Sequence, residues 1–357
     1  MIRRVWRGVL AAVAVTVLVG LILYQARPRP RLCSATWWDV FDTVVSLSLY
    51  VDSEAENQRQ SEAIHDDLLR YHQLFDAYHE YDGLTNLATL NAHAAEGPVP
   101  VEDDLMALLA FGKQAAEATD GACNIAAGAV LTLWHDARDA IEAAQSATDE
   151  GAAETDLAAL LPSEDALAAA AQHIDINDLV LDEEAGTVYF ADPELQLDVG
   201  AIAKGWAVEQ AARAAEARGL ESALLNAGGS VRAIGTKPGG ARWTAGVQNP
   251  EGGALLAEVA LEPGQSLIVS GDYQRYVVVN GTAYHHLIDL QTQQPARYNR
   301  SVAILSGDAG WGDALSTALF CLPADEGEAL LANFPDTAVQ WMTADGAVRE
   351  TVNWPGR

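Results

Sequence analysis

A chain of 357 residues, half of them hydrophobic, has the apolar content for one large domain or two intimate ones and is neither a disordered tail nor a disulfide scaffold. Its three cysteines (Cys33, Cys123, Cys321) are widely spaced with no C-x-x-C pair, so neither a zinc site nor a disulfide framework is indicated. The formal charge of −29 argues against a nucleic-acid partner, since a polyanion gains nothing from an acidic surface, and it makes each of the three lysines (Lys113, Lys204, Lys237) a candidate functional cation.

At the N-terminus Arg3, Arg4 and Arg7 precede seventeen uncharged residues, Gly8 to Tyr24. As a helix this run would extend roughly 25 Å, nearly the span of a bilayer core. No small-x-small cleavage site follows it, and Leu32 before Cys33 spoils a lipoprotein cleavage box, so a retained anchor is preferred to a cleaved signal. Three arginines on each side of the run leave its orientation open. The chain therefore divides into an anchor and stem over 1–34 and a domain over 35–357, single or in two intimate subdomains.

Residues 43–51 alternate as a strand, and 54–78 carry Ile64, Leu68, Tyr71 and Phe75 at helical spacing. A second helix is expected over 101–118, its first turn acidic as the helix dipole favours. The Ala/Glu/Asp-rich stretch 137–171 reads as peripheral helix and loop without a site-like constellation. Short strands over 187–190 and 195–199 then lead to a strong helix over 201–218. Strands follow near Ala223, Val231, Trp243, Ala257 and Leu267. Asn280-Gly281 between 276–279 and 282–288 is a strong hairpin signal. A strand over 302–305, a helix over 309–321 and a hairpin at Asp345-Gly346 complete an α+β order, with mixed or antiparallel sheets and flanking helices.

Five segments carry residues suited to chemistry. Asp198-Val199-Gly200-Ala201-Ile202-Ala203-Lys204-Gly205 joins a strand to a helix N-terminus, where N–H groups and Lys204 would suit a phosphate; an ordinary strand-to-helix turn with Asp198 as cap is the alternative. Asn226-Ala227-Gly228-Gly229 allows positive φ, for a ligand or for a plain hairpin. Ser270-Gly271-Asp272-Tyr273-Gln274-Arg275-Tyr276 sets aromatic rings beside an arginine, as cofactor stacking or as packing. In His285-His286-Leu287-Ile288-Asp289 adjacent side chains point to opposite faces, so one histidine alone can enter a cleft as a general acid or base. Asp313-Ala314-Leu315-Ser316-Thr317 puts a carboxylate and a hydroxyl on one helix face, a hard-oxygen pair suited to Mg²⁺ or a simple i,i+4 pair.

In their order and flanking residues these segments resemble the ApbE family, the FAD:protein FMN transferases. The family's Asp-x-Gly-[Gly/Ala]-Ile-Ala-Lys-Gly matches Asp198 to Gly205, and its Asn-x-Gly-Gly matches Asn226 to Gly229. Ser-Gly-Asp-Tyr-x-Arg-Tyr matches Ser270 to Tyr276, His-x-Ile-Asp matches His286 to Asp289, and Asp-Ala-Leu-x-Thr-Ala matches Asp313 to Ala318. Two first-half segments depart from the pattern. Ser-Thr-Tyr-Asp is replaced within residues 75–82, and Phe-Asp-Pro-Thr-Val-Gly by Cys123-Asn124-Ile125-Ala126-Ala127-Gly128.

The resemblance implies Mg²⁺ held by the Ala201 carbonyl, Asp313 and Thr317. It implies FAD as substrate, contacted by Asp198, Lys204, Asn226, Gly228, Tyr273, Arg275 and Leu287, with Tyr78 against the flavin. His286 would take the proton of a Ser or Thr hydroxyl on the acceptor. The acceptor would be an exported domain of a membrane redox complex, which places this domain on the extracytoplasmic (periplasmic) side of the inner membrane. An acceptor-like Asp-[Ser/Thr]-Gly-Ala-[Ser/Thr] stretch is absent from the chain itself. An FAD pyrophosphatase releasing FMN and AMP, and a non-catalytic membrane-anchored flavin-binding module, remain open beside the transferase.

Overall fold

The computed structural model describes residues 30–149 and 155–355. The expected membrane helix over 8–24 lies outside the described residues, and among those described no helix is long and apolar enough to cross a membrane.

The chain opens with a hairpin, β1 (Arg31–Val40) and β2 (Thr43–Val51), followed by helices α1 (Glu54–Phe75) and α2 (Leu87–His93). Strand β3 (Val99–Pro100) precedes α3 (Asp103–Ala118), α4 (Gly128–Asp149) and α5 (Glu164–Ala170). Strands β4 (Leu179–Asp182) and β5 (Thr187–Phe190) lead to α6 (Ala203–Ala217). Then come β6 (Ser222–Ala227), β7 (Ser230–Gly235), β8 (Trp243–Val247), β9 (Ala257–Leu261) and β10 (Ser266–Gly271). After β11 (Tyr276–Val279), β12 (Thr282–His285), β13 (Ile288–Asp289), β14 (Gln294–Pro295) and β15 (Asn299–Ser306), the chain ends with α7 (Ala309–Phe320), α8 (Ala324–Leu330), β16 (Ala338–Thr343) and β17 (Val348–Glu350).

Eight strands form one sheet in the order β1-β2-β6-β7-β10-β15-β16-β17, with every pairing antiparallel. The alternation of β2 sorts its residues between the two faces. Val45, Leu47 and Leu49 enter the main core with Ile64 and Leu68 of α1, Ala207 and Ala211 of α6, and Leu315 and Leu319 of α7. On the opposite face Val231, Leu267 and Leu305 pack under the separate β8–β9 hairpin through Trp243, Val259 and Leu261.

Several elements differ from the sequence expectation for local reasons. Strand β1 begins at Arg31, four residues inside the expected stem, and pairs along β2. Helix α1 stops at Phe75 because Asp76 turns extended (φ −67°, ψ 120°) and its carboxylate accepts the N–H groups of Tyr78 and His79. Residues 195–199 are not a strand: only Gln196 makes a bridge, to Ala127, and this segment instead closes on Gly128, whose Cβ would meet the Gln196 carbonyl oxygen at 2.5 Å. The strand expected over 282–288 ends at His285, where the chain leaves the hairpin. Asn280 and Gly281 both have positive φ, 50° and 78°, as a two-residue hairpin turn requires.

Candidate active site

One end of the large sheet opens into a cleft of about 1590 Å³, reached by the β1–β2 turn, the β6–β7 turn and the segment after β10. All twelve residues singled out from the sequence line it. Asp198, Ala201 and Lys204 come from the entry to α6; Asn226 and Gly228 from the β6–β7 turn; Tyr273 and Arg275 from the loop after β10. His286 and Leu287 follow β12, Asp313 and Thr317 lie on α7, and Tyr78 follows α1.

The entry to α6 is built differently from a capped helix. Asp198 does not cap it: the Asp198 carboxylate accepts the N–H of Gly200 at 2.7 Å, and the residue at the cap is Ile202 with φ −133°. The N–H groups of Ile202 and Ala203 both close on the Val199 carbonyl, so the helix starts at Ala203 and Lys204 lies at its very beginning. The N–H of Gly205, which in a continuing helix would reach the Ala201 carbonyl, donates instead to Asp313 Oδ2 at 2.7 Å. This leaves the Ala201 carbonyl without a donor among the described residues. A glycine is required here, because a Cβ at 205 would lie 2.2 Å from the Ala309 carbonyl oxygen and 2.5 Å from Asp313 Cβ.

Asp313 is 4% exposed, and burial pushes its carboxyl up, opposed by the charge of Lys204 and the N–H of Gly205. Its second oxygen and the Thr317 hydroxyl, one helical turn on, have no hydrogen-bond partner among the described residues. Helix α7 is held to β10 by a Ser270 Oγ to Ser316 Oγ hydrogen bond of 2.8 Å. A buried carboxylate with one oxygen unbonded, a hydroxyl and a backbone carbonyl without a donor fit a hard divalent cation that keeps positions for water and substrate oxygen. No cluster of three or more His, Cys, Asp or Glu capable of holding a metal occurs among the described residues, so a softer, imidazole- or thiolate-rich centre is not built there.

The two histidines separate as the strand geometry requires. His285 is buried, donates from Nε2 to the Ala296 carbonyl at 2.8 Å and accepts the Leu287 N–H on Nδ1, which makes it structural. His286 faces the cleft, and its Nδ1 lies 3.3 Å from the Arg275 carbonyl oxygen. A carbonyl can only accept, so the proton sits on Nδ1 and Nε2 presents its lone pair. Desolvation, with Lys204, Arg138 and Arg275 nearby, pushes the His286 pKa down to about 3.

The three lysines also separate. Lys113 Nζ bonds the Ile176 and Leu179 carbonyls and Lys237 Nζ sits 5.1 Å from the Trp243 ring centroid; Lys204 faces the cleft with no hydrogen-bond or ion-pair partner among the described residues.

Sequence reasoning missed the contribution of α4. Arg138 and Asp139, at the beginning of the stretch read as peripheral, and His135 just before it line the cleft, and Tyr78 stacks on His135 with centroids 4.6 Å apart and planes at 27°. The signal was present as a His135, Arg138, Asp139 face on one helix, but the alanine-rich run that follows concealed it. Asp76 fixes this aromatic corner, holding the Tyr78 and His79 N–H groups, the His79 ring at 3.0 Å and the Tyr81 hydroxyl at 2.9 Å.

The fold and cleft define a class: an α+β protein whose sheet end gathers cations, hard oxygen ligands and a neutral imidazole around space for a large phosphate-bearing ligand. Residues 41–341 match the ApbE family, and the chain belongs to it. A FAD:protein FMN transferase from Treponema pallidum (strain Nichols) is 35% identical over 280 residues, 74% of this chain and 72% of that protein. One from Rhodobacter capsulatus is 29% identical over 350 residues, 98% of this chain and 62% of that protein. The crystal structure of the ApbE protein from Thermotoga maritima MSB8 matches with a TM-score of 0.76 at 28% identity, covering 90% of this chain and 97% of that one.

Proposed function

We propose that this chain is, like those relatives, an FAD:protein FMN transferase, moving FMN from FAD to a Ser or Thr hydroxyl of another protein with Mg²⁺ as cofactor. The observation that carries the reading is the meeting in one cleft of the free oxygen of Asp313, the Thr317 hydroxyl and the Ala201 carbonyl with unpaired Lys204 and with His286. The acceptor oxygen attacks the FMN-side phosphorus, forming the new P–O bond as the bond to AMP breaks. Nε2 of His286 takes the hydroxyl proton, and AMP leaves with the bridging oxygen. Lys204, Arg138 and Arg275 bring positive charge to the diphosphate, and the Tyr78–His135 pair offers a flat surface to a ring. Mg²⁺, held by the Ala201 carbonyl, Asp313 and Thr317, would supply charge neutralisation at the phosphate oxygens.

A metal and a base serve no purpose in flavin binding alone, which favours an enzyme over a non-catalytic module. The N-terminal apolar run is read as an anchor that holds the domain on the extracytoplasmic side of the membrane, facing exported acceptor domains. The test is Asp313→Ala: Mg²⁺-dependent transfer is expected to vanish, and near-normal activity of a folded variant would contradict the metal assignment.

A further inference from the structure

The cleft has a second arm on the opposite face of the sheet from α6 and α7. Its floor is the outward side of β2 and β6, with Ser46, Ser48 and Leu224, and its wall is β8, through Thr244, Ala245 and Gly246. Tyr50 and Trp243, with ring centroids 5.7 Å apart, bring β2 and β8 together at the end away from the β1–β2 turn. From Ser46 to Tyr50 the arm runs four residues of strand, about 13 Å.

Two features set its ligand apart from the one the cationic arm would take. None of the named side chains of this arm is charged, whereas Lys204, Arg138 and Arg275 lie in the other arm. In addition, β8 pairs with β9 alone, and Thr244 to Gly246 make no backbone hydrogen bond outside that ladder among the described residues. A free strand edge carries unpaired N–H and C=O groups at the spacing of another extended chain, which is the recognition chemistry of a polypeptide backbone and not of a dinucleotide.

We infer that this arm binds the acceptor: an extended stretch of about four residues pairs with the edge of β8 over Ser46 and Ser48. Its hydroxyl-bearing residue then projects past Asn226 and Gly228 toward the end of the sheet where His286 and Asp313 lie. The inference rests on the transferase reading and deepens it, since it names the surface that selects the acceptor.

The experiment compares the wild-type chain with Ser48→Trp, which fills the arm, and Thr244→Asp, which places a charge on an exposed position of β8. FAD affinity and acceptor KM are measured with an exported domain bearing the Asp-[Ser/Thr]-Gly-Ala-[Ser/Thr] stretch, and cooperative thermal unfolding is checked for each variant. The expected result is an acceptor KM raised at least about tenfold in both variants, equivalent to roughly 1.4 kcal/mol, with the FAD dissociation constant within about twofold of wild type. A parallel loss of FAD affinity in folded variants would overturn the inference by giving the arm to the cofactor, and unchanged KM values would overturn it by giving the arm to neither. Wild-type protein that labels no acceptor would contradict the transferase reading itself and remove the inference with it; a labelling wild type with unaffected variants contradicts the inference alone.

Discussion

At the scale of single residues, the cleft uses position to set chemistry. His285 and His286 are adjacent and chemically identical, yet one is locked by two hydrogen bonds in the interior and the other presents a bare Nε2 to the cleft. With desolvation and three nearby cations acting on it, His286 is expected to remain neutral at pH 5 in the ligand-free protein, whereas a solvent-exposed histidine titrates near its ordinary value. Histidine NMR titration checks this, and Lys204→Ala is expected to move the His286 midpoint upward by removing one of the repelling charges. The sign for stability follows: the folded pKa lies below the ordinary 6.5, so the unfolded chain binds the proton first and His286 costs stability as pH falls from 6.5 towards about 3. The motif residues were legible because each required type stands at a fixed spacing in a short segment. Arg138 and His135 were not, because the alanine-rich run after them concealed their shared helix face and their role depends on α4 lying across the cleft from Asp198, a long-range fact.

At the scale of elements, the site depends on how closely α6 and α7 approach. Gly205 is the contact point, donating to Asp313 and leaving no room for a methyl group. Gly205→Ala is expected to destabilise the domain by about 1–3 kcal/mol through overpacking and to weaken the Mg²⁺ dependence of transfer more than FAD binding, since it displaces the carboxylate. Chemical denaturation and a Mg²⁺ titration of activity would check both parts. Glu209 ties the same two helices further along. Burial pushes its carboxyl up, but Arg232 and Arg213 and the Ala309 N–H outweigh that and leave it lowered. Because Arg232 is itself buried and would keep only the looser pair with Glu216 at 3.6 Å, Glu209→Ala is expected to cost about 3 kcal/mol in a denaturation experiment. Periodicity revealed most of these helices and the hairpins. It overran α1, whose end is set by the Asp76 side chain, and it mistook 195–199 for a strand, since apolar alternation there serves packing against Gly128 and not a ladder.

At the scale of the whole molecule, the sequence showed an α+β class but not the sheet order, because antiparallel partners such as β2 with β6 and β7 with β10 lie far apart in the chain and leave no local signal. That order is what brings five separated motifs to one end of one sheet, with α4 and the turn after α1 closing over them. It also gives the cleft its two arms, a cationic one beside α6 and α7 and an uncharged one beside β8, in keeping with a reaction that must hold a nucleotide and a protein at once. The most direct measurement is the intact mass of an acceptor domain after incubation with this protein, FAD and Mg²⁺, with released nucleotide followed in the same sample. The expected result is a Mg²⁺-dependent mass gain of one FMN on the acceptor, matched by AMP and lost when the acceptor hydroxyl is replaced by alanine; FMN and AMP appearing with no mass gain, or FAD left intact, would contradict it.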